Sequence, residues 1–328
     1  LAFILVSMGL GVFRTAFQLI GLFWFDMSFL GYIHGSAIGT TIVTIMILSY
    51  VYYKSGFRYE RKMMKEINHF AHPLAQYSLI VFVLTYADKL LLEKFPVALG
   101  IYNTAVNFGM GIAMILQGLQ GANQPEVFRV MKMGIKEHEP EIKQLSNLLL
   151  MQSMFIIVGA ILPTMLYLTV LYETDVRFAA NIVSLVFIRS ILRTQFIVFS
   201  YPSYYLKKTR IFLYLNSAGM IVNVALNYLL IPHYLYYGAI ASGLIADLIM
   251  VIGIYYYQKR IVDIEWNKEK LLYFPLLVVL IAIIGDILRI NLDLNAYYTA
   301  ASLVFLTFAG MTYLYRLELQ KLMARIWK

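Results

Sequence analysis

The sequence predicts an all-α, polytopic membrane protein with about ten transmembrane helices. Three observations indicate this fold. Of the 328 residues, 61% are hydrophobic and only 14% are charged, whereas soluble domains carry roughly 25% charged residues. Apolar stretches of spanning length recur along the whole chain, and a transmembrane helix needs about 20 such residues. Basic residues gather in every second connection between these stretches, which is typical of cytoplasmic loops.

Ten stretches meet the length requirement for a span. Their predicted limits are 1–23, 28–53, 72–92, 97–120, 145–171, 178–205, 211–232, 238–257, 271–290 and 296–315. In the second span, the run Gly31-x-x-x-Gly35-x-x-x-Gly39 places small residues on one face, which predicts close packing against another helix. The connections on the predicted outer side are all short. We therefore expect no outer domain that could hold catalytic machinery.

The distribution of basic residues predicts the topology. On the predicted cytoplasmic side they are Lys54, Arg58, Arg61, Lys62, Lys65, Arg129, Lys132, Lys136, Lys143, Lys207, Lys208, Arg210, Lys259, Arg260, Lys268, Lys270, Arg316, Lys321, Arg325 and Lys328. Opposite them are only Lys94 and Arg177. Both ends of this chain are thus expected in the cytoplasm. The net charge of +9 is explained by topology, and we expect no nucleic-acid partner.

Other features limit the possible chemistry. The chain has no cysteine and five scattered histidines, so neither a disulfide framework nor a metal site is expected. Leu1 lies inside an apolar run and is not Met, which predicts an N-terminally truncated chain. The long inner connections, 54–71 and 121–144, are mixed in charge. They are expected to be solvated loops, the alternative being that they lie along anionic membrane lipids of the inner leaflet.

Two segments resemble a known family. From Tyr86 the chain reads Tyr-Ala-Asp-Lys-Leu-Leu-Leu-Glu-Lys-Phe, followed by Ala98-Leu-Gly-Ile-Tyr-Asn103 and, further on, Gln117, Pro125 and Arg129. Later it reads Asn223-Val-Ala-Leu-Asn-Tyr-Leu-Leu-Ile-Pro232, then Gly238-Ala-Ile-Ala. These segments resemble helices seven, eight, eleven and twelve of the polysaccharide flippases, the Wzx-type branch of the MOP (MATE-like) transporter superfamily. The resemblance covers most of residues 72–257.

The resemblance implies a fourteen-helix fold in which this chain supplies helices five to fourteen. Residues 1–53 would be the last two helices of the N-terminal lobe, and 54–71 a basic cytoplasmic linker between lobes. Residues 72–257 would form the C-terminal six-helix lobe. Residues 258–328 would provide two further helices and a basic cytoplasmic tail.

The resemblance also implies the function. The family moves undecaprenyl-pyrophosphate-linked oligosaccharide from the cytoplasmic to the outer leaflet of the bacterial inner membrane, for O-antigen, capsule or exopolysaccharide assembly. Such a protein is a transporter and not an enzyme. It has no cofactor, and an H⁺ or Na⁺ gradient would supply the energy, since the chain has no Gly-rich phosphate loop. Its expected partners are the lipid-linked oligosaccharide, a polysaccharide polymerase and other assembly proteins.

Arginines inside spans are the first candidates for substrate binding, because a buried charge costs at least ~2.5 kcal/mol and therefore usually faces a cavity or a partner. Arg189 and Arg193 are four residues apart near the middle of a span, so they share one helix face. Their guanidinium groups could hold a pyrophosphate. Arg14 is near mid-span in the first stretch and could complete an anion clamp. The alternative is that these arginines neutralise carboxylates within the bundle.

Other polar residues inside spans have more than one interpretation. Asp247, the one carboxylate at mid-membrane, could pair with an arginine or take up a coupling proton. Asp88 matches the family's acidic position and could gate the outer mouth, while the neighbouring Lys89 could extend to the headgroups. Asn103 and Asn107 could bind sugar hydroxyls, although hydrogen bonds between helices are the commoner use.

A last group of residues is expected to be structural. Asn216, Asn223 and Asn227 could also bind sugar hydroxyls, but interhelical hydrogen bonds are the commoner use of such groups. Tyrosines near span ends are predicted to form an aromatic belt unless they line the cavity, namely Tyr201, Tyr204 and Tyr205. Asp286 and Arg289 are expected to form a local ion pair.

Two other functions remain open at this level. A drug or cation antiporter of the same superfamily would share the fold, but buried arginines disfavour a cationic substrate. A membrane polysaccharide polymerase or ligase would act on the same lipid-linked sugars, but it would need a large outer loop.

Overall fold

The computed structural model describes residues 12, 13, 15–21, 23, 28–56, 60–171, 175–316 and 318–320. Every regular element within these residues is helical, which confirms the predicted all-α fold. The helices are α1 (Ser28–Ser55), α2 (Arg61–Leu92), α3 (Pro96–Met133), α4 (Glu139–Gly159), α5 (Ile161–Leu171), α6 (Val183–Tyr205), α7 (Arg210–Ile261), α8 (Phe274–Asn291) and α9 (Ala296–Leu314). The chain divides into two units, Leu1–His72 and Pro73–Lys328.

Six of the described helical stretches are long and apolar enough to cross a bilayer. They are His34–Lys54, Pro96–Met133, Glu139–Val170, Val176–Tyr205, Arg210–Ile261 and Glu269–Asn291. The stretch Arg210–Ile261 contains two of the predicted spans, and the predicted spans 72–92 and 296–315 lie within α2 and α9. The predicted span 1–23 falls largely outside the described residues. The chain is therefore a multi-pass helical membrane protein.

The glycine stripe of α1 packs as predicted. The described residues between 12 and 23 are helical, and they touch α1 at these glycines. A Cβ on Gly35 would overlap the carbonyl of Phe17, and one on Gly39 would lie 2.9 Å from the Phe17 Cβ. The two backbones meet because no side chain separates them.

Helix α7 is a hairpin of two antiparallel halves. Leu235 breaks the helix with φ 50° and ψ −128°, between the predicted spans 211–232 and 238–257. A Cβ on Gly238 would lie 2.6 Å from the carbonyl of Leu230, so the chain folds back tightly at this point. Further along the hairpin, a Cβ on Gly219 would lie 2.8 Å from the sulfur of Met250. The predicted connection between these two spans is thus confirmed.

The two long inner connections are mostly helical, so the expectation of solvated loops is wrong for both. Helix α2 begins at Arg61, and α3 continues through Pro125 to Met133. With 38 residues, α3 is about 57 Å long, whereas the hydrocarbon core is about 30 Å thick. Its charged end therefore extends beyond the apolar layer. Only residues 134–138 connect α3 to α4, and the Glu139 carboxylate accepts a hydrogen bond from the backbone N–H of Glu265 at 2.9 Å.

Helix α6 lies at the centre of the second unit. It packs against α3, α4, α7 and α8, and Phe187, Ile188 and Ile191 on it are completely buried. A 3₁₀ helix, Asp175–Ile182, precedes it, so the predicted span 178–205 begins in 3₁₀ and not in α geometry. Because α6 is surrounded by other helices, its arginines must find partners or a hollow inside the protein.

The last two helices are tied to the rest of the second unit by a buried ion pair. Lys270 Nζ lies 2.7 Å from a carboxylate oxygen of Glu318, which also accepts from Asn147 Nδ2 of α4 at 3.3 Å. The Tyr315 hydroxyl donates to the carbonyl of Lys270 at 2.6 Å. These bonds connect the end of α9 with the start of α8 and with α4.

Candidate functional site

A buried ion pair joins α6 to the second half of α7. Arg189 Nε donates to Asp247 Oδ2 at 2.5 Å. The side chain of Asp247 is 2% exposed and that of Arg189 is 13% exposed. Taking two charges out of water is costly unless they are paired, so this pair neutralises both groups. Asp247 was predicted either to pair with an arginine or to take up a coupling proton. The structure shows the pairing, and the coupling role stays a prediction.

Gly243 makes room for this pair. It lies one helical turn before Asp247, on the same face of α7. A Cβ on Gly243 would overlap the guanidinium group of Arg189. The planar guanidinium therefore rests directly on the backbone of α7, and sequence reasoning did not single out this glycine.

Arg193 occupies a different environment from Arg189. It lies one turn further along α6, and its Nε is 3.6 Å from the same Asp247 Oδ2. Its side chain is 50% exposed. Asp247 thus contacts Arg189 closely and Arg193 only at longer range, while Asp88 also acts electrostatically on Arg189.

Arg193 lines a pocket of about 290 Å³. The pocket lies between α2, α6 and both halves of α7, within the second unit. Its apolar lining consists of Val81, Leu84, Leu192, Phe196, Ile197 and Met250, and its polar lining of Thr85, Arg193, Tyr204, Asn216 and Asp247. Arg193 is thus the basic group in the lining, and the carboxylate beside it is already hydrogen-bonded to Arg189.

Two of these lining residues were predicted to be mainly structural. Tyr204 was predicted to join an aromatic belt unless it lines the cavity, and it lines the pocket while its ring packs on Phe212 with centroids 4.3 Å apart. Asn216 also lines the pocket, and its amide nitrogen donates to the Phe212 carbonyl at 2.7 Å. Tyr201, another predicted belt residue, is buried at 2% exposure. Residue type and depth could not distinguish a headgroup-facing ring from one that faces a pocket.

Asn223 and Asn227 contact each other within α7. Asn227 Nδ2 donates to Asn223 Oδ1 at 3.0 Å, and both residues are buried. The predicted interhelical hydrogen bonds are therefore replaced by an intrahelical one at this position. Asn103 is half-buried and Asn107 is exposed on α3, and neither lines the pocket. Their proposed contact with sugar stays a prediction, and Arg14 lies outside the described residues.

Asp88 is buried near the end of α2 and accepts a hydrogen bond from the Tyr102 hydroxyl of α3. Tyr102 is 1% exposed and belongs to the Gly-Ile-Tyr step, yet sequence reasoning gave it no role. Lys89 Nζ lies 5.3 Å from the ring of Tyr86. The proposed gating role of Asp88 stays a prediction.

The predicted local ion pair near the end of α8 forms. Arg289 Nε donates to Asp286 Oδ1 at 2.8 Å, and Arg289 Nη2 donates to the Tyr237 hydroxyl at 2.6 Å. Among the described residues, no group of three or more His, Asp or Glu side chains is arranged to hold a metal ion.

Comparison with known proteins identifies the fold. A solved structure described as the lipid II flippase MurJ in an inward closed conformation is similar, with a TM-score of 0.61 and 13% sequence identity. The match covers 92% of this chain and 66% of that protein, so this chain spans slightly less than two thirds of its neighbour's length. At this identity the likeness shows the fold and does not test the predicted Wzx-type branch.

No protein-family model matches the chain. A comparison with curated protein sequences likewise finds no match. The likeness is therefore one of fold.

Proposed function

We propose that this protein is a flippase for a lipid-linked substrate, and that Arg193 contacts the phosphate of that substrate. The fold supports a flippase because a lipid II flippase shares it at a TM-score of 0.61. The observation that carries the proposal is that the half-exposed side chain of Arg193 lines the pocket. It lies next to the Asp247 carboxylate, which Arg189 already neutralises.

The pair of Arg189 and Asp247 gives this site its selectivity. An isolated Arg193 would carry a full charge at membrane depth, which is costly. Asp247 lowers that cost from 3.6 Å away, a distance beyond an ordinary hydrogen bond. An incoming phosphate can therefore approach the planar guanidinium and make shorter bonds to it. Asp247 is therefore the counter-ion of Arg193 until a phosphate binds in its place.

The more specific version of this proposal follows the family resemblance. The substrate would be undecaprenyl-pyrophosphate-linked oligosaccharide for O-antigen, capsule or exopolysaccharide assembly, moved outward across the bacterial inner membrane. The polar head would enter the protein while the prenyl tail stays in the bilayer, and the lobes would alternate access. An H⁺ or Na⁺ gradient would supply energy through Asp88 or Asp247. A polysaccharide polymerase would receive the product.

The two alternative functions have less support from the residues. A cation antiporter needs an anionic cavity, but the acidic residue of this pocket, Asp247, is hydrogen-bonded to Arg189 and lies 3.6 Å from Arg193. A polymerase or ligase needs a site for bond formation, whereas the described pocket offers no paired general acid and base.

Transport in reconstituted vesicles tests the proposal. A fluorescent lipid-linked oligosaccharide is placed in one leaflet, and its appearance in the other is measured with and without an ion gradient. We expect Arg193→Gln to slow transport by about tenfold or more, which corresponds to losing ~1.4 kcal/mol of binding. Arg177→Gln, which changes an exposed arginine on the 3₁₀ helix, is the matched control. Equal rates for the two variants would remove Arg193 from the site.

A further inference from the structure

The pocket beside Arg193 has two chemically different ends. Phe196 and Ile197 follow Arg193 on the same face of α6 by three and four residues, and Tyr204 follows Ile197 by seven. Eleven residues separate Arg193 from Tyr204, which is about 16 Å along the helix axis. Tyr204 therefore lies at the end away from the charged groups, and Phe196 lies between it and Arg193.

Ring packing and a hydrogen bond hold the side chains of the neutral end in place. Phe212 is buried and holds it in place, since its ring packs on Tyr204 with centroids 4.3 Å apart and on Phe196 at 6.2 Å. The Phe212 carbonyl accepts the hydrogen bond from Asn216 Nδ2. This bond orients the Asn216 side chain, and its carboxamide oxygen remains the atom that can accept from a ligand.

We infer that the neutral end of the pocket, which extends from Phe196 to Tyr204 and includes Asn216, is a subsite for the first sugar of the substrate. The inference rests on the proposed function. A sugar ring joined to a phosphate presents an anion at one end, and hydroxyl groups with an apolar ring face at the other. This matches Arg193 at one end of the pocket and an asparagine with two aromatic rings at the other. Tyrosine suits such a contact because its ring is apolar and its hydroxyl is polar.

The volume limits the ligand to a small unit. Ligand pockets commonly measure roughly 300–1,000 Å³, and this one is about 290 Å³. It is suited to a single sugar with its phosphate, and a longer glycan would extend outside it. A phospholipid headgroup with hydroxyl groups, such as phosphatidylglycerol, shares part of this chemistry but lacks a ring that needs aromatic contacts.

The test measures binding to the purified full chain in detergent with three probes. They are farnesyl pyrophosphate, farnesyl pyrophosphate carrying one N-acetylglucosamine, and short-chain phosphatidylglycerol. We expect the sugar to tighten binding by about tenfold, as one well-formed hydrogen bond with ring contacts would. Tyr204→Leu and Asn216→Leu should each reduce this gain without weakening the bare pyrophosphate. Tyr228→Leu, at an exposed tyrosine of α7, should change neither.

The possible results separate the subsite from the proposed function. If Arg193→Gln weakens both pyrophosphate probes equally while the gain from the sugar persists, both ideas stand. If Arg193→Gln has no effect on either probe, the phosphate contact is wrong. If Tyr204→Leu lowers the affinity for both pyrophosphate probes equally, or if phosphatidylglycerol competes as well as the sugar probe, the sugar subsite is overturned. Tyr204→Phe, which retains the ring, should keep most of the gain and is the control for misfolding in Tyr204→Leu.

Discussion

Replacing Asp247 by Asn should destabilise the protein more than any change at either of its two arginines. Asparagine has nearly the same shape but no charge, so the Arg189 side chain, which is 13% exposed, loses the carboxylate that it hydrogen-bonds. Removing one partner of a buried ion pair typically costs ~3–5 kcal/mol. We expect Asp247→Asn to lower the free energy of unfolding by about that amount.

The reverse change should cost less, because the geometry is asymmetric. In Arg189→Gln, Asp247 still faces Arg193, whose half-exposed side chain starts 3.6 Å away and can move closer. We expect a loss of about 1–2 kcal/mol for this variant. For Arg193→Gln the loss should stay below about 1 kcal/mol, since half-exposed ion pairs contribute little.

A double variant tests whether Asp247 and Arg189 stabilise the protein as a pair. Asp247→Asn with Arg189→Gln removes both buried charges, and replacing a buried pair by neutral groups is often close to neutral for stability. We therefore expect the second substitution to recover part of the stability lost in Asp247→Asn. Additive losses, with the double variant less stable than either single one, would refute the reasoning about this pair.

Tryptophan fluorescence provides the assay. Trp266 is buried at 5% exposure in the second unit, so its emission should shift when this unit unfolds. Unfolding is followed in mixed micelles with increasing SDS, in a background carrying Trp24→Phe and Trp327→Phe. Unfolding curves of the four proteins then give the coupling between Asp247 and Arg189 directly.

Two further predictions follow from individual contacts. Gly243→Ala should displace the Arg189 guanidinium and lower the free energy of unfolding by about 1–3 kcal/mol; Gly111→Ala, which meets nothing within 4 Å, should leave it equal or higher, and equal losses in the same SDS titration would contradict the packing. Tyr102→Phe should cost about 1–3 kcal/mol because the Asp88 carboxylate loses a buried donor, and an unchanged unfolding midpoint would count against that hydrogen bond.

The predicted spans agree with the helices where bilayer thickness sets the pattern. Residues 211–232 and 238–257 are the two halves of α7, and the break at Leu235 lies between them. The prediction failed at residues 61–71 and 121–133, which are helical. Hydropathy shows where a helix enters the apolar layer. It does not show how far a helix with charged residues continues into water.

The site was only partly predictable. The spacing of Arg189 and Arg193 correctly placed both on one face, since four residues make about one helical turn. Asp247 was predicted as a possible partner, but spacing could not say which arginine it pairs with. For Tyr204 and Asn216 the structural interpretation was preferred over a place in the cavity, because both residue types are common in both settings.

The sequence by itself determined that the chain is an α-helical membrane protein, because the hydrocarbon layer requires long apolar segments whose backbone groups bond internally. It also identified the glycine stripe that brings α1 against its neighbour. Only the tertiary structure decided that Asp247 neutralises Arg189 while Arg193 opens into a pocket. The physical reason is that the strength of an ion pair depends on distance and burial, and both are set by how α6 and α7 pack.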